Sequence, residues 1–219
     1  MKHLPTRQSG FTLVEIAIVL VIIGLLLGGV LKGQEMIENS KVKNAINDMN
    51  GAAAAYNTYV DRYRRIPGDD GPALVNLTGR GGSWSTVTLF GNNNGALASA
   101  TADVFTGTNE SAAFWQHLKG AGLINGNPSD TGVNALPRNA FGGLTGIGNG
   151  VMGLTGIAVC LGSVTGKSAR QIDVQMDDGI NNTGSIRALV GAANTAPGAA
   201  APAAATYVES STYTICRQL

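Results

Sequence analysis

The hydrophobic pattern changes character twice. Residues 11–31, FTLVEIAIVLVIIGLLLGGVL, are apolar almost throughout, with Glu15 as the single charge. At 1.5 Å of rise per residue such a run reaches ~31 Å as a helix, the thickness of a bilayer's hydrocarbon core. Residues 11–31 are therefore expected to span a membrane. Further on, Val42, Ile46, Met49, Ala53, Tyr56, Val60 and Tyr63 recur at spacings of four and three, with Lys43, Asn44, Asn47, Asp48 and Asp61 between them. One apolar stripe over roughly six turns predicts that the same helix continues as an amphipathic half, and packing on the chain's own globular part is the ordinary outcome for such a stripe. Ile66-Pro67-Gly68-Asp69 supplies the stop, because Pro67 cannot continue a helix interior. The helix is expected over residues 11–66. Its glycines, Gly24, Gly28, Gly29 and Gly33, have two readings: close approach of other helices, or a meltable stretch costing roughly 1 kcal/mol of propensity at each.

Beyond Pro67 the pattern breaks into short apolar runs separated by Gly, Asn, Thr and Ser, which predicts a loop-rich domain with strands. Residues 63–73 and 80–97 read as irregular connections, with a turn at 92–95. In TNESAAFWQHLKG a helix is expected, capped by Thr108 or Asn109, burying Phe114, Trp115 and Leu118, and stopped at Gly120. GLTGI occurs at 143–147 and again at 153–157, predicting two adjacent strands joined near Gly148-Asn149-Gly150. Residues 167–178 predict a helix ended by Gly179, followed by a strand over 185–190 and a closing strand in TYTICRQL. Residues 191–207, rich in Ala, Pro and Gly, are expected to form an exposed, mobile loop, since Pro197 and Pro202 interrupt any helix.

Composition narrows the function classes. The chain is 44% hydrophobic and 13% charged with a net charge of +1, which suits one modest domain plus a membrane segment and argues against a nucleic-acid partner, even with Arg62, Arg64 and Arg65 clustered. His3 and His117 are the only histidines, so no zinc-ligand spacing can be assembled. His117 has no catalytic companion in sequence and reads as solvent-facing or hydrogen-bonded. No nucleophile–base set is apparent, so the chain is expected not to be an enzyme. Nucleotide binding is rejected because neither glycine-rich phosphate motif is present. Cys160 and Cys216 are expected to form a disulfide, which persists only outside a reducing cytosol; two buried free thiols are the other reading. Asp173, Asp177, Asp178, Asn181 and Asn182 crowd oxygen atoms of the type Ca²⁺ takes, though not in EF-hand spacing, and solvated carboxylates with Asn turn residues are the plainer reading. No cofactor other than that calcium candidate is expected.

The N-terminus is more specific. The apolar run exceeds the 7 to 15 residues of a secretory signal core, and no small-x-small cleavage site closes it, so the segment is expected to be retained. Lys2 and Arg7 on one side face Lys32, Lys41 and Lys43 on the other, which leaves orientation undecided by charge. The basic leader MKHLPTRQSG followed by Gly10, Phe11 and Glu15 in GFTLVE resembles the signal of type IV prepilins and type II secretion pseudopilins. The resemblance implies cleavage of leader 1–10 after Gly10 on the cytoplasmic face by a prepilin peptidase, and N-methylation of Phe11 by the same peptidase/methyltransferase. It implies an α+β, pilin-like fold: a long N-terminal helix with a head over 67–219 holding a small antiparallel sheet. The C-terminal helix, Asp-Asp-Gly and TYTICRQL also resemble, less specifically, large pilin-like subunits in which a cysteine pair staples the last strand; some pseudopilins carry calcium.

The implied function is a structural subunit of a type IV pilus-like filament, with identical or related subunits as partners. It would wait in the bacterial inner membrane with its head in the periplasm, then enter an extracellular pilus or a periplasmic pseudopilus. The alternatives are a type II secretion pseudopilin, or a membrane-anchored periplasmic binding protein or enzyme that does not polymerise. Glu15 is expected to neutralise the new α-amine of Phe11, within the chain or on a neighbour displaced by about a turn, and so to set register in assembly. One departure is visible: the apolar run lacks the proline that many major pilins carry, which leaves open whether Gly28, Gly29 and Gly33 take over local melting.

Overall fold

The computed structural model describes Gly10 and residues 12–219. The cleavage and methylation expectations at residues 1–9 and Phe11 fall outside the described residues. The chain divides into two compact units, one ending at Ser40 and the other Lys41–Leu219.

The first unit holds the N-terminal part of helix α1, which runs unbroken over Leu13–Tyr63. Its Leu, Ile and Val side chains are exposed throughout, Leu13 to 91% and Leu25 to 73%, so the described chain offers nothing that covers them. The four glycines do not interrupt the helix, and a Cβ at any of them would meet nothing within 4 Å.

In the second unit α1 is amphipathic, as the spacing predicts, with the buried line turned by one position. Val42, Ala45, Met49, Ala52, Ala55 and Tyr59 are buried, while Ile46, Tyr56 and Tyr63 flank them, half-buried. The reason is size: alanines at 45, 52 and 55 let the helix backbone approach the domain, and the larger residues close over the two sides. The helix ends before the proline. Arg64 takes a left-handed backbone (φ 54°), its N–H bonding Val60 O at 2.8 Å, so the chain has already turned at Pro67.

A four-stranded sheet with order β1-β2-β4-β3 forms the other wall of the core. Its strands are β1 Thr145–Asn149, β2 Ile157–Thr165, β3 Ile186–Val190 and β4 Thr212–Gln218, each antiparallel to its neighbour. The expected pair of adjacent strands is present, but the second strand starts only where the second GLTGI copy ends. The first copy enters β1 and the second leads into β2, and β1 pairs with the run after the repeat, Ile147 opposite Val159 and Gly146 opposite Cys160. Ala158 to Leu161 are buried on both faces of the sheet, and that burial, not the short repeat, fixes the register. Helix α4, Gly166–Met176, packs on β2, β3 and β4. Cys160 and Cys216 face each other across β2 and β4, Cα atoms 4.0 Å apart, and are joined by a disulfide.

Two further helices complete this side of the core. α2 covers Leu74–Thr78, and α3, Asn109–Gly120, is buried from Glu110 to Gly120 on every side, more deeply than the Phe114, Trp115 and Leu118 face predicts. α3 meets α1 where Phe114 stacks on Tyr56 and His117 on Tyr59. Residues 191–207 are largely exposed, as the composition predicts. They carry no regular structure, yet Met152 and Gly153 donate to Gly198 O and Ala199 O at 2.7 Å, and Thr214 donates to Thr195 O at 2.6 Å. A loop of small apolar residues has few side-chain contacts to hold it; its backbone carbonyls do so instead.

The turn after α1 brings backbone against backbone at Gly91, where a Cβ would overlap Asp69. Replacing Gly91 by alanine is expected to destabilise the domain by about 2 kcal/mol through forced backbone shifts, read as a lower denaturant midpoint.

Candidate functional site

Glu15 lies in the first turn of α1, and its immediate partner is Thr12. The Thr12 N–H and hydroxyl donate to Glu15 Oε2 at 2.7 and 2.9 Å, and the Glu15 N–H donates back to Thr12 Oγ1 at 3.2 Å. This is a reciprocal capping box, which satisfies helix N–H groups that have no partner within the helix. Both residues are exposed, as is Gly10. Oε1 has no partner among the described residues and remains available to a cation. Thr12 was missed in the sequence, although Thr-x-x-Glu ahead of an apolar run is a legible cap signature.

The second cluster holds the end of α1. Tyr59 donates to Asp70 Oδ2 at 2.6 Å, and the Arg80 guanidinium meets the same oxygen at 2.8 Å. Arg80 also stacks on the Tyr63 and Trp84 rings, 4.6 Å from each centroid. A buried carboxylate is thus paired, hydrogen-bonded and roofed by rings, the condition under which such a pair is tolerated. His117 sits beside it, fully buried. Its Nδ1 accepts the Gly68 N–H at 2.9 Å and its Nε2 lies 3.0 Å from Leu89 O. Of the two expected readings the hydrogen-bonded one holds. Burial lowers the ring's pKa to about 4, partly opposed by the Leu89 bond and the Asp70 charge. With both nitrogens on backbone, the ring has no link to a nucleophile. Nothing in the spacing of Tyr59, Asp70, Arg80 and His117 announces this cluster. Arg62 and Arg65 lie nearby, Arg62 over the Tyr63 ring and Arg65 donating to Asn93 Oδ1 at 2.5 Å.

The calcium candidates come together only in part. Asp173, Asp177 and Asp178 each place one carboxylate oxygen within 4.8 Å of the others. Asn181 does not join them: its amide donates to Ala203 O at 3.0 Å and accepts the Ala205 N–H at 2.9 Å. The carboxylates also hold local structure, Asp173 accepting from the Tyr207 hydroxyl at 2.5 Å, Asp177 from the Ile186 N–H at 2.8 Å, and Asp178 from Thr183 and the Ile180 N–H. Burial raises the Asp173 pKa, the neighbouring Asp178 and Asp177 charges adding to it, whereas the bonds from Thr183 and Ile180 lower that of Asp178. Counted as one oxygen from each carboxylate, the cluster offers three of the six to eight ligands that Ca²⁺ takes, and every one of the three carboxylates already accepts a hydrogen bond. Calcium at a hundredfold excess over the chain is expected to leave the melting temperature unchanged within about 1 °C; a rise of several degrees would mean that water or backbone oxygens complete a cage.

An open groove of about 850 Å³ runs beside Phe90, Leu97, Asp103 and Glu110. Both Glu110 oxygens accept backbone N–H groups, from Asn92 at 3.1 Å and Ala98 at 2.5 Å, so this carboxylate holds the groove wall in place.

Residues 5–31 match the family described as the prokaryotic N-terminal methylation motif, a stretch that includes Gly10, Phe11, Thr12 and Glu15. No curated protein matches the chain.

Proposed function

We propose that this chain, which carries the type IV pilin and pseudopilin signature at residues 5–31, is a structural subunit of a type IV pilus-like filament. The observation carrying this reading is the methylation motif fused to an unbroken helix whose first half exposes apolar side chains on all sides. That surface requires hydrocarbon or other helices around it. The match fits an inner-membrane anchor, and it points to a structural rather than a catalytic protein.

In this reading a prepilin peptidase cuts between Gly10 and Phe11, and the new α-amine, with a reference pKa near 8, is largely protonated. Glu15 meets it. The capping bonds from Thr12 fix Oε2 and orient the carboxylate, leaving Oε1 for an ammonium on a neighbouring copy. A charge that is costly in hydrocarbon when alone becomes a pair, and the pair forms only at one axial offset between helices. Assembly and register then follow from one contact.

A pseudopilin of a type II secretion system carries the same motif and is the second reading. Intact mass of the mature chain tests the common part: loss of residues 1–10 and gain of one methyl group are expected, and a chain keeping its leader, or losing the apolar segment, would refute it. Electron microscopy of cells lacking the chain, with a secretion assay in parallel, separates the two readings. Crosslinking through engineered cysteines on α1 distinguishes either from an anchored protein that stays monomeric.

A further inference from the structure

We infer that His117 is an acid-sensitive latch: it locks the turn after α1 onto α3 through the Gly68 N–H, and its protonation releases that turn.

The hydrogen bonds fix the ring's chemistry. Gly68 N–H can only donate, so Nδ1 must present a lone pair; Leu89 C=O can only accept, so Nε2 must carry the proton. Only the neutral tautomer protonated at Nε2 satisfies both. A proton added at Nδ1 would point at the Gly68 N–H, donor against donor, between two buried residues. The ring itself is fully buried.

The groups packed around it do not offer a ready rescue. On α1, Tyr59 stacks on the ring at 6.2 Å between centroids and directs its hydroxyl to Asp70. From the 3₁₀ turn at Gly82–Thr86, Trp84 lies at 6.0 Å. Asp70 favours the imidazolium, but its charge is engaged by Arg80, whose own cation opposes it. On α3, the neighbouring charges of Glu110 and Lys119 are held by the Asn92 and Ala98 amides and by Asp130.

A ring that titrates near 4 when latched and near its ordinary 6.5 when released binds its proton preferentially in the released state. Stability from the latch is therefore complete above pH 6.5 and is lost as pH falls towards 4. Between pH 6.5 and pH 4 the released form gains about 80-fold relative to the latched one. What is released is the segment following α1, including Gly68, while Leu89 O keeps its bond from Nε2–H and the 87–91 strip stays on α3 through Gln116. The consequence is a head whose surface beside α1 loosens in acid while the disulfide-stapled sheet stays intact.

The test uses the full chain in non-ionic micelles, with Trp84 and Trp115 emission followed through urea titrations at pH 7.5, 6.5, 5.5 and 5.0, above the range where ordinary carboxylates titrate. In the native chain the midpoint is expected to fall steadily below pH 6.5. In His117→Gln, whose amide oxygen and N–H can face Gly68 and Leu89 without titrating, it is expected to be lower at pH 7.5 and flat with pH. The same slope in both proteins, or no slope in the native one, overturns the latch. Should the variant not fold, ¹⁵N spectra of the native imidazole decide: a neutral His117 ring in the folded chain at pH 5.5 is expected, and a ring half-protonated near pH 6.5 overturns it.

Discussion

Cells whose only copy of this chain carries Glu15→Leu are expected to make, insert and cleave the protein yet to assemble at least tenfold fewer filaments, measured by immunoblot of sheared or periplasmic filaments and by electron microscopy. The substitution removes the single charge in residues 13–31. Membrane insertion should improve, because leucine is favourable at bilayer depth where a carboxylate costs a few kcal/mol. Half of the capping box is lost as well, since the Thr12 N–H and hydroxyl no longer have a carboxylate to bond while the residue-15 N–H keeps Thr12 Oγ1, but even a whole missing cap destabilises a helix terminus by only about 1 kcal/mol. A 51-residue helix frays by a turn at such a cost and otherwise persists. The assembly defect must then come from the unneutralised amine on the neighbour. Thr12→Val separates the two effects: it removes the hydroxyl, keeps the carboxylate, and should leave filaments within a few-fold of normal. Undiminished assembly of Glu15→Leu would end the register argument, whatever Thr12→Val does.

The second large effect is on stability. Replacing both Cys160 and Cys216 by serine should lower the stability of the second unit by about 4 kcal/mol, from the chain-entropy estimate for a loop closed across a sequence separation of 56. For a domain of this size that corresponds to a fall of roughly 10 °C in melting temperature. The bridge joins the two central strands, and the closed loop contains α4, β3 and residues 191–207. Its loss frees the whole C-terminal third in the unfolded chain. The native strands keep their ladder, since Cys160 and Cys216 occupy register positions that the backbone pairs anyway. Calorimetry of the oxidised chain against the double variant checks this. Equal melting temperatures would place the sheet's stability in its apolar faces alone.

How far the amino-acid order reaches differs along the chain. The apolar run, the stripe after it and GFTLVE determine the long helix and mark the residues that processing and pairing would use, because helical period and local motif are properties of neighbours in sequence. The helices at 109–120 and 166–176 and the strands at 186–190 and 212–218 follow from the same kind of signal. Three features did not. The buried line of α1 falls on the alanines because the space between helix and sheet selects small residues, which periodicity cannot see. β1 pairs with the run after the repeat because burial on both faces of β2 outweighs the resemblance of GLTGI to itself. Asp70, Arg80, Tyr59 and His117 meet across separations of 10 to 58 residues, and Asn181 turns from the acidic cluster to the Ala203 carbonyl and Ala205 amide. A buried polar group takes whichever partner the folded chain brings to it, and that choice is made only when distant segments have closed around it.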